Sequence, residues 1–390
     1  MPNTPEVPIA QPVGPSGGRP PSTVVYVQPY RRSLFGVLLD FFLVFALVGS
    51  VLLNFLLLVL LMPDLLDEDY STLTERYHSG TSSAGSKIAM VQIDGPIIEG
   101  LSGYFHDQLR AAARDEDVKA VVVAINSPGG SVTASDQLHK QISDLRDGKW
   151  PMPSGKTSSP KPVVVAMQAV AASGGYYIAV PGQKIFAEPT TITGSIGVYA
   201  PILDLHELAE RHGVKMHIIK KGELKASGSM FKELTPEERA EFDEQIEAAY
   251  QRFMQIVQDG RKDKLKVGLR DEIQVPSLVR KGETVLRRLA DGGVYTAQQA
   301  KEYGLIDDIG YVEDAVAEAK KLAKLQEARV VVYEAPLSLL DSMLGIRKET
   351  PAGRVDLSML PGMSARAWYL TPGYELSGLK MPIRDLFPLR

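Results

Sequence analysis

A serine at a strand-to-helix corner is the first residue whose setting suggests chemistry. Ser173 lies in AASGGYYIA (171–179), shortly after the apolar strand pattern VVVAMQ (163–168). Small neighbours would leave its hydroxyl open to a carbonyl carbon, and the N–H of Gly174 could stabilise the resulting oxyanion. The same residues are also typical of close helix packing with a serine cap. Both interpretations stay open for this segment alone.

A second glycine-rich corner could supply another backbone donor. The segment NSPGGSV (126–132) follows one strand pattern and precedes a helical one. Glycine lets the backbone turn sharply and direct an N–H into open space, so Gly130 is a candidate oxyanion donor. An ordinary strand-to-helix turn would have the same composition.

A serine nucleophile also needs a base within hydrogen-bond reach. The chain has no cysteine, which excludes thiol catalysis, cysteine-ligated metals and disulfides. Two further segments carry candidate residues: GSIGV (194–198) contains Ser195, and KKGELKASG (220–228) contains Lys225. A lysine among lysines is usually a solvated charge, so spacing alone does not distinguish Lys225.

Three segments precede the part of the chain that holds these corners. Residues 1–32 are rich in Pro, Gly, Ser and Val, which predicts a disordered tail. The apolar run over 33–62 is long enough, as a helix, to cross a hydrocarbon core of about 30 Å. Arg31 and Arg32 precede this run and acidic residues follow it, so we expect a cytoplasmic tail and an exported remainder. The polar residues 63–86 are typical of a linker.

Short β-branched runs alternate with amphipathic helical patterns between residues 87 and 333. KIAMVQID, KAVVVAIN, KPVVVAMQ, KIFAEP and KMHIIK predict strands, several of them apolar on both faces. This alternation predicts an α/β fold with a largely parallel sheet. Residues 334–390 show no readable organisation, and their role stays open. The net charge of −4 offers no basic field for nucleic acid, so no nucleic-acid partner is expected.

Four motifs in one order resemble the signal peptide peptidase A family of membrane-anchored serine peptidases. They are SPGG, ASGGYYIA, TTITGSIGVY and KGELKASG, and the similarity covers about residues 87–325. The resemblance implies a Clp/crotonase-like fold of repeated β-β-α units. It implies these site residues: Ser173 as nucleophile, Lys225 as general base, Ser195 orienting the lysine amine, and Gly130 and Gly174 as oxyanion donors.

The same resemblance implies the function and the partners. Cleaved signal peptides and other short apolar peptides are the expected substrates of this endopeptidase domain (87–333), with no metal and no cofactor. The lipid bilayer is a further expected partner. Each chain has one pair of catalytic residues, the dyad Ser173 and Lys225. In the family, this implies a homo-oligomer, an octamer, in which neighbours complete one another's sites. The expected location is the bacterial inner membrane, with a cytoplasmic N-terminus and the catalytic domain on the periplasmic side.

Two departures from the family pattern and three rival interpretations accompany this reading. The loop at 148–160 is longer than usual, and Gly293 stands where the family commonly has arginine.

A Clp-type triad would place a histidine about 25 residues after the serine, but residues 193–199 contain none. A crotonase-type acyl-CoA enzyme would explain neither the apolar run nor the lysine motif. An inactive membrane-tethered scaffold of the same fold is the remaining alternative.

Overall fold

The computed structural model describes residues 34–66, 73–99, 103–276, 282–334 and 368–370. Its strands are β1 (Thr74–Gly80), β2 (Lys87–Asp94), β3 (Val118–Ser127), β4 (Gly129–Ser131), β5 (Val163–Ala172), β6 (Lys184–Ala187), β7 (Ile192–Gly194), β8 (Glu272–Pro276), β9 (Thr284–Arg288), β10 (Val294–Thr296), β11 (Asp308–Ile309), β12 (Arg329–Glu334) and β13 (Trp368–Leu370). Its α-helices are α1 (Leu34–Leu66), α2 (Gly103–Arg114), α3 (Val132–Asp147), α4 (Gly174–Ala179), α5 (His206–Arg211), α6 (Pro236–Gly260), α7 (Ala297–Tyr303) and α8 (Val312–Leu322).

The N-terminal helix α1 belongs to a unit of its own, residues 1–70, and residues 71–390 form the second unit. Its apolar side chains are exposed, as at Phe35 and Phe45. Among the described residues, no helix meets the combined length and apolarity needed to cross a membrane. The membrane span over 33–62 therefore stays a prediction, and the tail over 1–32 lies outside the described residues.

A nine-stranded, largely parallel sheet forms the centre of the second unit. Its strand order is β1-β12-β2-β3-β5-β6-β11, and β7 pairs with both β5 and β10. The pairs β1/β12 and β7/β10 are antiparallel, whereas the other pairs are parallel. The predicted α/β class with a largely parallel sheet is confirmed.

Both faces of this sheet are covered, which explains the continuous apolar runs of its central strands. In β2, Ile88 and Met90 pack on the face covered by α8, while Ala89, Val91 and Ile93 pack on the opposite face. Helices α2 and α3 lie against this opposite face. Helix α6 begins with a capping box at Thr235, as the sequence TPEE predicts.

The segment 63–86 is not purely a linker. Residues 74–80 form β1, which pairs with β12 at the edge of the sheet. Its side chains are almost all exposed, so its sequence TERYHSG lacks the apolar alternation that marks a half-buried strand. Backbone pairing and ion pairs stabilise it instead: Lys87 Nζ lies 2.9 Å from Glu75 and 2.8 Å from Asp115. The linker prediction failed here because an exposed edge strand can be polar on both faces.

Four of the five predicted strands are present as β2, β3, β5 and β6. The fifth prediction, KMHIIK at 215–220, is wrong, because this segment forms no strand in the single chain. Its residues are exposed throughout, including Ile219 at 99%. An apolar run without a neighbouring strand has no backbone partner, so sequence propensity alone does not produce a strand there.

Candidate active site

Ser173 lies at the carboxyl end of a strand that changes partners. Strand β5 pairs with β6 over Val164–Met167 and with β7 over Val170–Ala172. Immediately after this strand, Ser173 adopts φ 53° and ψ −116°, and α4 begins at the next residue. For a residue with a Cβ such a conformation costs roughly 1–3 kcal/mol and is typical of functional corners. Ser173 is 1% exposed, and its side chain makes no capping hydrogen bond.

Ser195 follows the end of the neighbouring strand β7 and, like Ser173, has a positive φ. The N–H of Ser173 donates to the carbonyl of Gly194 at 2.8 Å, so the two strand ends lie side by side. Ser195 has φ 52°, and it donates its N–H to Gly293 (2.8 Å) and its hydroxyl to Gly292 (3.1 Å). Only three non-glycine residues have positive φ in the described ranges, and two of them are these serines.

The two glycines predicted as oxyanion donors lie next to each other. A Cβ built on Gly174 would lie 3.1 Å from the nitrogen of Gly130 and 2.5 Å from the hydroxyl oxygen of Ser135. A Cβ on Gly130 would overlap the carbonyl group of Ile97. Neither position has room for a side chain; Gly174 directly follows Ser173, and Gly130 lies beside Gly174. This arrangement can place two N–H groups beside a carbonyl attacked by the serine.

Lys225 is the one predicted site residue that the single chain leaves apart. It lies in a short 3₁₀ helix, Glu223–Ala226, and its side chain is exposed. Within the described residues, no hydrogen bond links Lys225 to Ser173 or Ser195. Residues 200–231, which we term the lysine arm, contain no buried residue. The described residues of this chain thus leave the predicted base, Lys225, exposed.

Sequence reasoning missed an ion pair that supports Ser195. Arg287 makes two hydrogen bonds with Asp291, at 2.8 and 2.6 Å, and Asp291 accepts the N–H of Gly293 at 2.9 Å. The arginine and this N–H hold the pKa of Asp291 below its usual value, although burial opposes the shift. Gly293 is where the family pattern commonly has arginine. Here a different arginine, Arg287 from β9, fills that place.

In the described part of the chain, no hydrogen bond joins a histidine to Ser173 or Ser195. His206, the first residue of α5, has its Nδ1 atom 2.6 Å from the Oδ1 atom of Asp204. The hydrogen bond to this carboxylate raises the pKa of His206. The two residues line a surface cavity of about 370 Å³ on the lysine arm. His139 packs edge-on against Tyr177, and burial lowers the pKa of His139 to about 4. Among the residues described, no cluster of three or more His, Asp or Glu could hold a metal ion.

The fold and the corner together define a class: a mixed α/β protein with a strained serine at the end of a parallel strand, beside two crowded glycines. Comparison with known families places the chain more narrowly. The model of peptidase family S49 matches residues 156–269 and 279–326. These ranges contain Ser173, Ser195 and Lys225.

Individual relatives agree with this match. The chain is 33% identical over 313 residues to "Protease 4" of Salmonella typhi, covering 77% of this chain and 46% of the relative. It is 34% identical over 230 residues to "Putative signal peptide peptidase SppA" of Enterococcus faecium, covering 59% and 58% respectively. It is 33% identical over 268 residues to "Putative protease slr0021" of Synechocystis sp., covering 68% and 85%. The chain spans less than two thirds of the length of the first two relatives.

A solved structure of a ClpP1 mutant from Listeria monocytogenes has a TM-score of 0.33 and 17% identity, covering 58% of this chain and 94% of that chain. A similarity this weak adds nothing to the fold assignment, which rests on the sheet topology. The family match and the Synechocystis relative, most of whose length is covered, settle the family: the chain belongs to peptidase family S49, the signal peptide peptidase A family.

Proposed function

We propose that this protein is a serine endopeptidase in which Ser173 is the nucleophile and Lys225 the general base. The observation that carries the proposal is the strained conformation of Ser173 beside Gly130 and Gly174. Strain of this size persists only where the surrounding structure enforces it, and such positions cluster at active sites. The names of the relatives, which include proteases, support the same class of activity.

The proposed chemistry proceeds through an acyl-enzyme. Neutral Lys225 would take the proton of Ser173 Oγ while this oxygen bonds to the scissile carbonyl carbon. The N–H groups of Gly130 and Gly174 would stabilise the oxyanion, and the protonated lysine would donate to the departing amine. A water molecule deprotonated by Lys225 would then hydrolyse the ester. Lysine can be this base only in its neutral form, which burial away from water favours over the charged form.

Burial of Lys225 requires a partner, because its arm is uncovered in the single chain. The lysine arm exposes large apolar side chains at several positions: Leu203, Leu208, Val214, Met216, Ile219 and Leu224. The segment 215–220, apolar in part and without a strand partner, lies in the same arm. We therefore propose a homo-oligomer in which the arm of one subunit packs on its neighbour and brings Lys225 to the neighbour's Ser173. The family resemblance suggests an octamer.

A subunit-mixing experiment tests both the dyad and its assembly. The variants Ser173→Ala and Lys225→Ala are each expected to lose peptide turnover by at least about a hundredfold. Unfolded together and refolded as a mixture, they should regain activity, because some sites then combine an intact serine with an intact lysine. Random mixing in a closed ring makes about a quarter of the sites intact.

The control mixes Ser173→Ala with the double variant Ser173→Ala/Lys225→Ala, which can form no intact site. Activity in the first mixture but not in the control supports a dyad built between subunits. An inactive first mixture from refolded oligomers would place the dyad within one chain. Near wild-type turnover by either single variant would show that the dyad is assigned wrongly, whereas a wild-type chain without peptide turnover would leave the inactive scaffold as the alternative.

The anchor and the location form a further part of the proposal. The residues of α1 between Phe41 and Phe55 are almost all apolar and exposed, and such a surface needs cover. We propose that this cover is the bacterial inner membrane, with the N-terminus in the cytoplasm and the peptidase part in the periplasm. The full chain should then stay in the membrane pellet after alkaline extraction. Release into the supernatant would contradict the anchor.

The proposed substrates follow from the site and from this location. A peptidase held at the outer face of the membrane would meet cleaved signal peptides and other short apolar peptides. The repeated β-β-α architecture of the Clp/crotonase type is the fold that we propose for the second unit. Turnover of synthetic signal peptides, compared with polar peptides of the same length, tests the substrate class. Equal turnover of both sets would count against a preference for apolar sequences.

A further inference from the structure

A buried serine hydroxyl on α3 lies beside the two glycines proposed as oxyanion donors. Ser135 is 0% exposed, and its Oγ has no hydrogen-bond partner among the described residues. A Cβ built on Gly174 would lie 2.5 Å from this Oγ and 3.1 Å from the nitrogen of Gly130. The hydroxyl and the two glycine backbones therefore border one small volume, and Gly174 directly follows Ser173.

The other serines of this helix and its cap use their hydroxyl groups locally. Ser131, the N-cap of α3, accepts the N–H of Ala134 at 3.1 Å. Ser143, about two turns after Ser135, donates its hydroxyl at 2.8 Å to the carbonyl of His139, four residues earlier. A helical serine can use such a carbonyl, but Ser135 makes no bond of this kind. Its Oγ lies against the start of α4 instead.

The unpaired hydroxyl of Ser135 has a cost that another residue would avoid. A buried hydroxyl without a hydrogen bond lowers stability, because the group has given up its bonds to water. Alanine would fill nearly the same space beside Gly174 without this loss. A catalytic role is one of the recognised reasons for such an exception. The N–H groups of Gly130 and Gly174 are donors, so a ligand atom that they share with the hydroxyl must be an acceptor.

We propose that Ser135 is a further catalytic residue, whose hydroxyl donates a third hydrogen bond to the oxyanion formed when Ser173 attacks a carbonyl. Side-chain hydroxyls act beside backbone N–H groups in sites that stabilise such oxyanions. The negative charge develops only in the transition state, so this bond stabilises the transition state more than the bound substrate. Ser173 and both glycines are buried too, so Ser135 is no less accessible to a substrate than the groups with which it would act. The proposal rests on the proposed function, because the oxyanion arises in the proposed acylation.

Alanine substitutions at two positions of α3 in the full chain separate catalysis from stability. Ser135→Ala should lower kcat on the order of a hundredfold at constant KM, because only the transition state loses a bond. Its melting temperature should equal or exceed that of the wild type, because an unpaired buried hydroxyl is removed. Ser143→Ala is the matched control: it should keep kcat and melt slightly lower, because a hydrogen bond is lost. A lower melting temperature for Ser135→Ala at unchanged kcat would assign the hydroxyl to packing and overturn the proposal.

A pair of peptide probes tests the oxyanion contact without turnover. Both probes are the same fluorescent alanine-rich peptide, and one ends in an aldehyde and the other in an alcohol. In the aldehyde complex, Ser173 Oγ bonds to the carbonyl carbon, its proton passes to Lys225, and the carbonyl electron pair forms an oxyanion. The alcohol cannot form this adduct. Ser135→Ala should therefore weaken aldehyde binding on the order of a hundredfold and leave alcohol binding unchanged.

The outcomes distinguish the role of Ser135 from the proposed function. If peptides are turned over but Ser135→Ala keeps kcat and aldehyde affinity within about twofold, the third donor is overturned and the peptidase remains. If no chain turns over peptides but the wild type prefers the aldehyde and Ser135→Ala loses this preference, the endopeptidase proposal fails and the third donor is supported. A wild-type chain that shows neither turnover nor a preference for the aldehyde overturns both proposals.

Discussion

The guanidinium of Arg287 fills the space that a side chain at Gly293 would need. This arginine is paired with Asp291, which accepts the N–H of Gly293. The carbonyls of Gly292 and Gly293 in turn accept both hydrogen bonds of Ser195. An ion pair between β9 and the turn that follows it thereby supports the strained serine beside Ser173.

Moving the arginine tests this relationship. Gly293→Arg alone should expel Arg287 from its pair with Asp291 and lower the free energy of unfolding by about 1–3 kcal/mol. The exchange Gly293→Arg/Arg287→Gly leaves one arginine in the shared space and should recover most of this loss. A double-mutant cycle by urea unfolding measures the coupling, which we expect to be at least about 1 kcal/mol. Additive effects of the two substitutions would show that the two positions do not share this space.

The strain at Ser173 predicts an unusual order of stabilities. Glycine adopts a positive φ without strain, whereas alanine keeps the strain of the serine. The free energy of unfolding of Ser173→Gly should therefore be about 1 kcal/mol higher than that of Ser173→Ala. Both should be inactive on peptides. Ser143, inside α3, is the control: there glycine should be less stable than alanine by about 1 kcal/mol. If the glycine variant were less stable than the alanine variant at residue 173 as well, Ser173 would be unstrained.

The crowding at Gly130 predicts that a side chain there lowers stability and peptide turnover, because the neighbouring atoms belong to the backbone and cannot move aside as a side chain could. A Cβ there meets the backbone of Ile97, so Gly130→Ala should shift β4 and cost about 2 kcal/mol of stability as well as most of the peptide turnover. Gly103→Ala, at the start of α2 with open space around it, is the matched control and should be neutral or slightly stabilising. Thermal unfolding and peptide assays measure both effects. Full activity of Gly130→Ala would exclude a close role for this backbone.

Burial of His139 predicts a pH dependence of stability. Its pKa is lowered from 6.5 to about 4, first by desolvation, with Asp136 acting in the opposite direction and Arg252 in the same one. The folded state therefore favours the neutral ring, and its contribution is complete above pH 6.5. As the pH falls from 6.5 toward 4, the unfolded chain takes up the proton first and up to about 3 kcal/mol is lost. Urea unfolding of His139→Gln should show a shallower decline over this window, and an unchanged slope would contradict the prediction.

The sequence alone determined the elements that local pattern controls. Continuous apolar runs predicted β2, β3, β5 and β6, because strands buried on both faces must be apolar at every position. Glycine-rich corners identified Gly130, Ser173 and Gly174, because few residue types tolerate such turns. Residue order along the chain also carried the family resemblance, and the family match agrees with it.

Only the tertiary structure decided what depends on partners distant in sequence. β1 is a strand because β12 lies beside it, and KMHIIK forms none because no strand of the described ranges pairs with it. Arg287 takes the place beside Gly293 through a turn that no local pattern reveals. β13, likewise, is defined by pairing with a strand more than two hundred residues earlier. Backbone hydrogen bonds across a sheet join residues by position in space, and residue type constrains that position only weakly.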